Sequence, residues 1–303
     1  MSLAPSAPAL PPAARLPVEL SLLALLALLW GSSYLFTKVA VAEIPPLTLV
    51  SARVTLAALF LLLVMALRGQ RLPRDGRTWR RLLVQSLLNC SVAWSLLAWG
   101  QQHIEASLAS VLNSTSPLFV FFITLLVTRH EPAGALRLAG ACLGLLGVLL
   151  IVGVDALAGL GQQVAGQAAA LFSAFLYGCA AIYGRRFGHL PPTVTAAGTT
   201  LCAALCVLPA ALLLERPWTL SPGLESLASA AVLGVVCTGT ALLLYFRLVR
   251  TLGSLGVASQ AYLRAGVGVL LGVVVLGEEL TALVALGVLA AVAGVAAINL
   301  PRR

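Results

Sequence analysis

The chain has 303 residues, of which 60% are hydrophobic and 10% charged, and its mean hydropathy is +1.02. A soluble domain devotes about a quarter of its residues to charge, so this composition excludes one and specifies a polytopic membrane protein. A net charge of +9 would suggest a nucleic-acid partner in a soluble chain, but here the basic residues fall between apolar runs and so mark topology instead.

The first segment, 1–17, is Pro- and Ala-rich and reads as a disordered tail. The apolar run behind it is of span length and has no small-residue cleavage site, which argues against a signal peptide. Crossing about 30 Å of hydrocarbon takes about 20 apolar residues in a helix. Ten runs of that kind follow: 18–38, 47–67, 80–101, 106–128, 133–153, 164–184, 193–213, 226–249, 254–276 and 281–299. The expected fold is therefore an all-α membrane protein of ten transmembrane helices. If the N-terminus is placed inside, fifteen arginines lie in inner segments, six of them between Arg68 and Arg81, whereas the outer loops hold only Arg216. Both termini are predicted to be cytoplasmic. All six cysteines fall within spans, where a thiol acts as a small apolar group, so neither a disulfide nor a metal site is expected. No cofactor is expected either.

The second half of the chain repeats the first at a constant offset. Glu131, Gly140 and Gly147 recur as Glu278, Gly287 and Gly294, 147 residues later. The same offset relates Gly31 to Gly178, Lys38 to Arg185, Ser107 to Ser254 and Trp30 to Tyr177. Five spans per copy is an odd number, so the copies, 18–153 and 164–299, must cross the membrane in opposite senses. Two inverted five-helix repeats are the architecture of many secondary transporters, with the substrate site near the midplane. The segments "LLALLWGSSYLFTKVAVAEIPPLTLVSARVTLAALFLLL", "LNSTSPLFVFFITLLVTRHEP" and "YLRAGVGVLLGVVVLGEELTALVALGVLAAVAGV" resemble the signature segments of EamA-type members of the drug/metabolite transporter superfamily. The resemblance implies two five-helix repeats and efflux of amino acids or similar small metabolites. The chain departs from that pattern at Ala265, where the family usually has proline, and at "TRHE", which replaces a first-half "LGE".

Polar side chains inside spans are costly in lipid and tend to face a cavity or another helix. Arg264 sits about ten residues from either end of its span, about 15 Å deep at 1.5 Å per residue and beyond comfortable snorkelling. It is expected either to bind substrate or gate, or to be neutralised by carbonyls and a nearby hydroxyl. Gln260 shares its helix face at i, i+4. Asn113 is the counterpart of Gln260, and the two amides serve either as interhelical glue or as substrate contacts. Ser116 and Pro117 share a face with Asn113, and the proline frees a carbonyl and predicts a kink. Trp30, Tyr34, Tyr177, Trp94 and Tyr262 supply aromatic walls, while Trp99, near a span end, reads as an interface anchor. Lys38 and Arg53 lie close enough to the outer surface to snorkel and are assigned gating or structural roles. The leading expectation is that Arg264 grips a substrate carboxylate through a two-pronged contact while the aromatics enclose the rest.

No His or carboxylate lies within a span away from its ends, so no proton relay is visible. Coupling is left to uniport, exchange, or a terminal group such as Glu131 or Glu278. The same absence argues against a membrane-embedded enzyme, which needs a nucleophile and base converging at one depth. No phosphate-binding G-x-x-x-x-G-K-[ST] loop occurs, which argues against ATP-driven pumping. Export of lipophilic drugs or organic cations is the alternative among carriers. Eighteen arginines against one lysine resemble a GC-rich bacterial coding bias, which points to a bacterial inner membrane. Expected partners are a small molecule carrying a carboxylate and the bilayer, with no nucleic acid.

Overall fold

A chain buried in lipid must satisfy its backbone N–H and C=O groups internally, which leaves helices or closed barrels. This computed structural model describes residues 16–101, 103–104, 106–128, 134–153, 163–267 and 281–299, and among them it is helical with no strand. The first spans are α1 (Leu16–Val41) and α2 (Pro46–Leu67). The third combines α3 (Gly76–Ser86), a π-helical stretch Leu87–Ser91 and α4 (Val92–Gln101). The fourth combines α5 (Ala106–Asn113), α6 (Ser116–Ile123) and a π-helical end, Thr124–Thr128. Then come α7 (Ala135–Val152), α8 (Val164–Gly184) and α9 (Pro192–Leu214). The eighth span is α10 (Leu224–Gly234), a third π-helical stretch Val235–Thr240, and α11 (Ala241–Thr251). Last are α12 (Gly253–Ala258), α13 (260–267) and α14 (Ala282–Asn299). Nine stretches of the described residues are long and apolar enough to cross a membrane, so this is a multi-pass membrane protein. The expected ninth span, 254–276, lies outside the described residues beyond 267.

Sequence punctuation sets these boundaries. Pro46 and Pro192 open α2 and α9, where the missing N–H would have no helical partner in any case. The Asp75 carboxylate caps α3 by accepting from the Thr78 N–H at 2.7 Å. That bond, with help from the Thr78 hydroxyl, holds its carboxyl below the ordinary range. The fourth span, expected as one helix over 106–128, is broken at Ser114 and Thr115. Pro117 cannot donate to the ladder and begins α6 instead. At the break, Thr115 Oγ1 donates to the Leu112 carbonyl at 2.6 Å, and Ser114 Oγ reaches across to the Ala261 carbonyl at 3.5 Å.

Lipid supplies no hydrophobic force between helices, so packing depends on close approach of small residues. The seam between α7 and α14 shows this. A Cβ on Gly140 would lie 2.9 Å from the Gly294 carbonyl oxygen, and one on Gly147 would lie 2.6 Å from that of Gly287. Gly144 in the same row is covered by the Tyr262 ring. Near the chain's first helix, buried Glu19 accepts from Arg247 at 3.0 Å and Thr251 at 2.9 Å, tying α1 to α11. At the opposite end Glu215 accepts from the Leu47 and Thr48 N–H groups, tying α9's end to α2's start.

The glycine seam yields a stability prediction. Gly147→Ala forces α7 and α14 apart and should cost about 1–3 kcal/mol, read as a lower unfolding midpoint in detergent. Leu146→Ala, at an exposed position one residue away, should change it little.

Candidate functional site

The helices enclose a cavity of about 170 Å³ that runs from the α1–α2 turn, at Val41 and Pro46, into the middle of the bundle. Two glycines position its charged groups. Gly31 lets α1 lie against α13, since a Cβ there would sit 2.9 Å from Val267 and 3.5 Å from the Arg264 carbonyl oxygen. Gly234 does the same for α10 against α2, where a Cβ would come within 2.6 Å of Leu56 and 3.2 Å of the Arg53 carbonyl oxygen. Arg264 and Arg53 both line the cavity.

The Arg53 guanidinium is held by two neighbours. Its carbon lies 4.2 Å over the Trp94 ring, and its Nε donates to Thr238 Oγ1 at 2.5 Å. A desolvated cation on an aromatic face gains up to about 2 kcal/mol. Thr238 can accept because its own hydroxyl proton goes to the Leu233 carbonyl at 2.7 Å, in the π-helical stretch. Arg264 is half-buried, and its Nε has no hydrogen-bond partner among the described residues. Three further buried polar atoms on the lining share that condition: Trp30 Nε1, Asn89 Nδ2 and Gln260 Oε1. Leaving a buried polar group unpaired costs about 1–3 kcal/mol each, so the cavity presents a set of donors and one amide acceptor suited to a polar guest. Trp30 packs against Tyr245 with ring centroids 5.5 Å apart, and Tyr177 and Ala181 of α8 complete an aromatic and apolar wall. No Asp or Glu of the described residues lines the cavity. The nearest acid to its mouth in sequence, Glu43, is engaged by the Ser226 hydroxyl and the Gly223 N–H, which hold its carboxyl below the usual range.

The EamA-like transporter family model matches residues 18–153 and again 164–300. The chain belongs to the EamA-like transporter family. EamA-like relatives include the uncharacterized inner membrane transporter YedA of Escherichia coli K12, 26% identical over 86% of this chain and 85% of its own length. An uncharacterized transporter of Archaeoglobus fulgidus is 27% identical over 90% and 94%. The uncharacterized transporter YvbV of Bacillus subtilis is 27% identical over 92% and 90%. A crystal structure 20% identical to this EamA-like chain superposes with a TM-score of 0.79 over 93% of this chain and 97% of the other, which speaks for the fold.

Within this EamA-like frame, Arg264, Gln260, Trp30, Tyr177, Trp94 and Ser116 come together on one cavity, as the sequence grouped them. Asn113 does not join them. It is fully buried behind the break in the fourth span, with both amide atoms unpartnered among the described residues. Tyr262 faces the α7–α14 seam instead of the cavity, because Gly144 leaves a slot for its ring. Pro117 is buried where α6 begins. Arg53, expected to snorkel, instead turns inward onto Trp94, because a guanidinium gains more from an aromatic face and a hydroxyl than from the apolar path outward. The side chains of Tyr34 and Lys38, and residues Glu131 and Glu278, lie outside the described residues. Asn89 and Thr238 were not singled out. Each is a polar residue within an apolar span; Asn89 has no polar counterpart at the 147-residue offset, where Val236 stands, and Thr238 stands opposite Ser91.

Thr238→Val keeps side-chain shape and removes the oxygen that Arg53 uses. It should lower stability by about 1–2 kcal/mol in thermal unfolding, whereas Thr238→Ser, which restores the acceptor, should stay near wild type.

Proposed function

We propose that this membrane transporter is a secondary exporter of small metabolites bearing a carboxylate, working by alternating access around the cavity. Its frame is two inverted five-helix repeats, 18–153 and 164–299, with both termini cytoplasmic. The observation that carries the substrate reading is Arg264: a cation deep in an apolar bundle, its Nε unpartnered among the described residues, on a cavity with no acidic lining residue among them. A carboxylate accepts two parallel N–H bonds from a guanidinium, and Gln260 on the same face adds an amide. Organic cations would meet two guanidiniums and no acidic residue among the described lining residues, which places the drug or cation reading second.

Contacts that recur at the same offset support the repeat. The Gly140–Gly294 approach recurs as Gly287–Gly147, and Gly31 against Val267 recurs as Gly178 against Val120. Ser114 bonds the carbonyl of Ala261, its own counterpart. Differences between equivalent contacts support alternating access. α12 packs on α8, but among the described residues its counterpart α5 makes no comparable packing with α1, which lies along α10 instead. The cavity lining reaches the α1–α2 turn at Val41 and Pro46, which fits an outward-facing state if the termini are inside. The cavity lining offers no His or carboxylate to carry a proton among the described residues, so uniport or exchange down a substrate gradient fits it better than proton coupling.

In proteoliposomes the protein should catalyse saturable counterflow of a carboxylate, and Arg264→Ala should reduce it at least about tenfold, the value of one strong charge-assisted contact. Arg264→Lys should fall between, keeping charge and losing the fork. Equal transport by all three would remove Arg264 from the site. Orientation is read separately: in a background free of native cysteines, Thr37→Cys should react with an impermeant maleimide added outside, while Ala258→Cys should be protected from the inside.

A further inference from the structure

The start of the third span carries a charge pattern that neither packing nor orientation in the membrane requires. Six arginines between Arg68 and Arg81 meet Arg185 and Arg186 at one corner of the bundle. There Trp79 and Tyr183 pack around Leu82 and Phe187, Arg186 lies over the Tyr183 ring at 4.9 Å, and Arg68 donates to Thr193 Oγ1 at 3.2 Å. A bias of arginine to one side of a membrane sets orientation whichever helix carries it. Elsewhere on the described residues of that side stand Arg137, Arg247 and Arg250, and Arg247 is engaged by Glu19. On α3 itself, Arg77, Arg80, Leu83 and Leu87 fall on one side of the helix, spaced three, three and four residues apart. All four are exposed, the leucines at 39% and 36%. Leu87 lies about 10 Å further along the axis than Arg80, toward the middle of the span. The face thus presents two cations and then hydrocarbon, the order found in a phospholipid. The 147-residue offset supplies a control: Leu224 and Leu227, at the start of α10, stand at the places of Arg77 and Arg80 and are exposed as well. Leucine therefore suffices for packing at these two positions, and the guanidiniums point to a partner outside the bundle.

We infer that this face of α3 is a binding site for an anionic phospholipid, its phosphate held by Arg77 and Arg80 and an acyl chain lying along Leu83 and Leu87. A guanidinium offers parallel N–H groups that match phosphate oxygens. Basic clusters next to a span attract anionic leaflets, and each arginine adds to the attraction. Two arginines directly above exposed leucines localise that attraction on one helix face, while the neighbouring guanidiniums raise the positive potential around it. Asp75, the acid of this stretch, is turned to the chain itself, accepting from the Thr78 N–H at 2.7 Å. The Trp79 indole donates to the Pro73 carbonyl at 2.8 Å and so fixes the turn that precedes the two arginines. The four residues are outside the cavity lining, so the site is separate from the one that faces the transported guest.

The test follows thermal unfolding of the delipidated full chain in a nonionic detergent, at constant ionic strength, as each probe is titrated in, which yields its dissociation constant. The probes are dioleoyl phosphatidylglycerol, dioleoyl phosphatidylcholine, inorganic phosphate, and glycerophosphoglycerol, which is the first head group without acyl chains. Phosphatidylglycerol should bind at least about tenfold more tightly than phosphatidylcholine, as two arginines facing a net negative head group require. Arg80→Gln should weaken phosphatidylglycerol about fivefold, the effect of one basic residue at a lipid surface. Arg250→Gln, the same loss of charge on α11, should leave it unchanged. The wild-type comparison needs no variant, so the proposal stays testable if Arg80→Gln folds poorly. Equal binding of the two lipids would overturn the proposal. A preference for phosphatidylglycerol that falls equally in both variants would also overturn it, replacing the site by a diffuse attraction of the whole arginine-rich side. Phosphate or glycerophosphoglycerol binding as tightly as phosphatidylglycerol, with the same loss in Arg80→Gln, would overturn the lipid assignment in favour of a soluble anion.

Discussion

A charge inside a bilayer is the constraint on which the rest of this architecture depends. An arginine at the centre of a lone span costs roughly 2.5 kcal/mol or more to insert, and this protein places two on one cavity. The bundle accommodates Arg53 with an aromatic face and a hydroxyl. Arg264 receives no equivalent neighbour for its Nε among the described residues. Two cations in the same cavity, one held by an aromatic face and a hydroxyl and one whose Nε is unpartnered among the described residues, differ in what they can do. The first is oriented by its neighbours; the second keeps an Nε donor unused among the described residues.

The irregular stretches of helix sit where these groups are presented. The π-helical turn Leu87–Ser91 carries Asn89 into the cavity, and the stretch Val235–Thr240 carries Thr238 to Arg53. A π turn inserts a residue into the ladder and rotates the side chains beyond it, which is why such turns gather at functional positions. The break at Ser114–Thr115 lies beside the cavity too, since the Thr115 hydroxyl turns back onto the Leu112 carbonyl and Ser116 reaches the lining. Straight helices of the same sequence length would direct some of these residues into neighbouring helices or lipid.

Much of the fold was legible because lipid imposes it. Span length, Pro at helix starts and arginine placement are one-dimensional signals, and they located nine of the described spans to within a few residues. Helix faces were legible too: Gln260 and Arg264, four apart, do share the cavity wall. What the sequence did not reveal depends on rotation and distance between helices. Tyr262 looked like a cavity aromatic until the slot over Gly144 claimed its ring. Arg53 looked like a snorkelling residue because depth along a span is readable, whereas the presence of Trp94 across the bundle is not. Asn89 was passed over because interest in polar residues followed the repeat, and it has no polar counterpart.

That last point bears on how such a frame acquires specificity. The contacts that recur at the 147-residue offset are glycine approaches and helix crossings, which set spacing and are indifferent to the guest. The polar groups on the cavity wall do not recur: Arg264 stands opposite Pro117, Arg53 opposite Thr200, and Asn89 opposite Val236. A symmetric cavity would present each charge twice, and four cations would raise the desolvation cost beyond what one small guest could compensate. Divergence at these few positions leaves the packing intact while making the two sides of the cavity chemically distinct. Packing and cavity chemistry are thereby carried by different residues, so one fold can hold cavities of different chemistry.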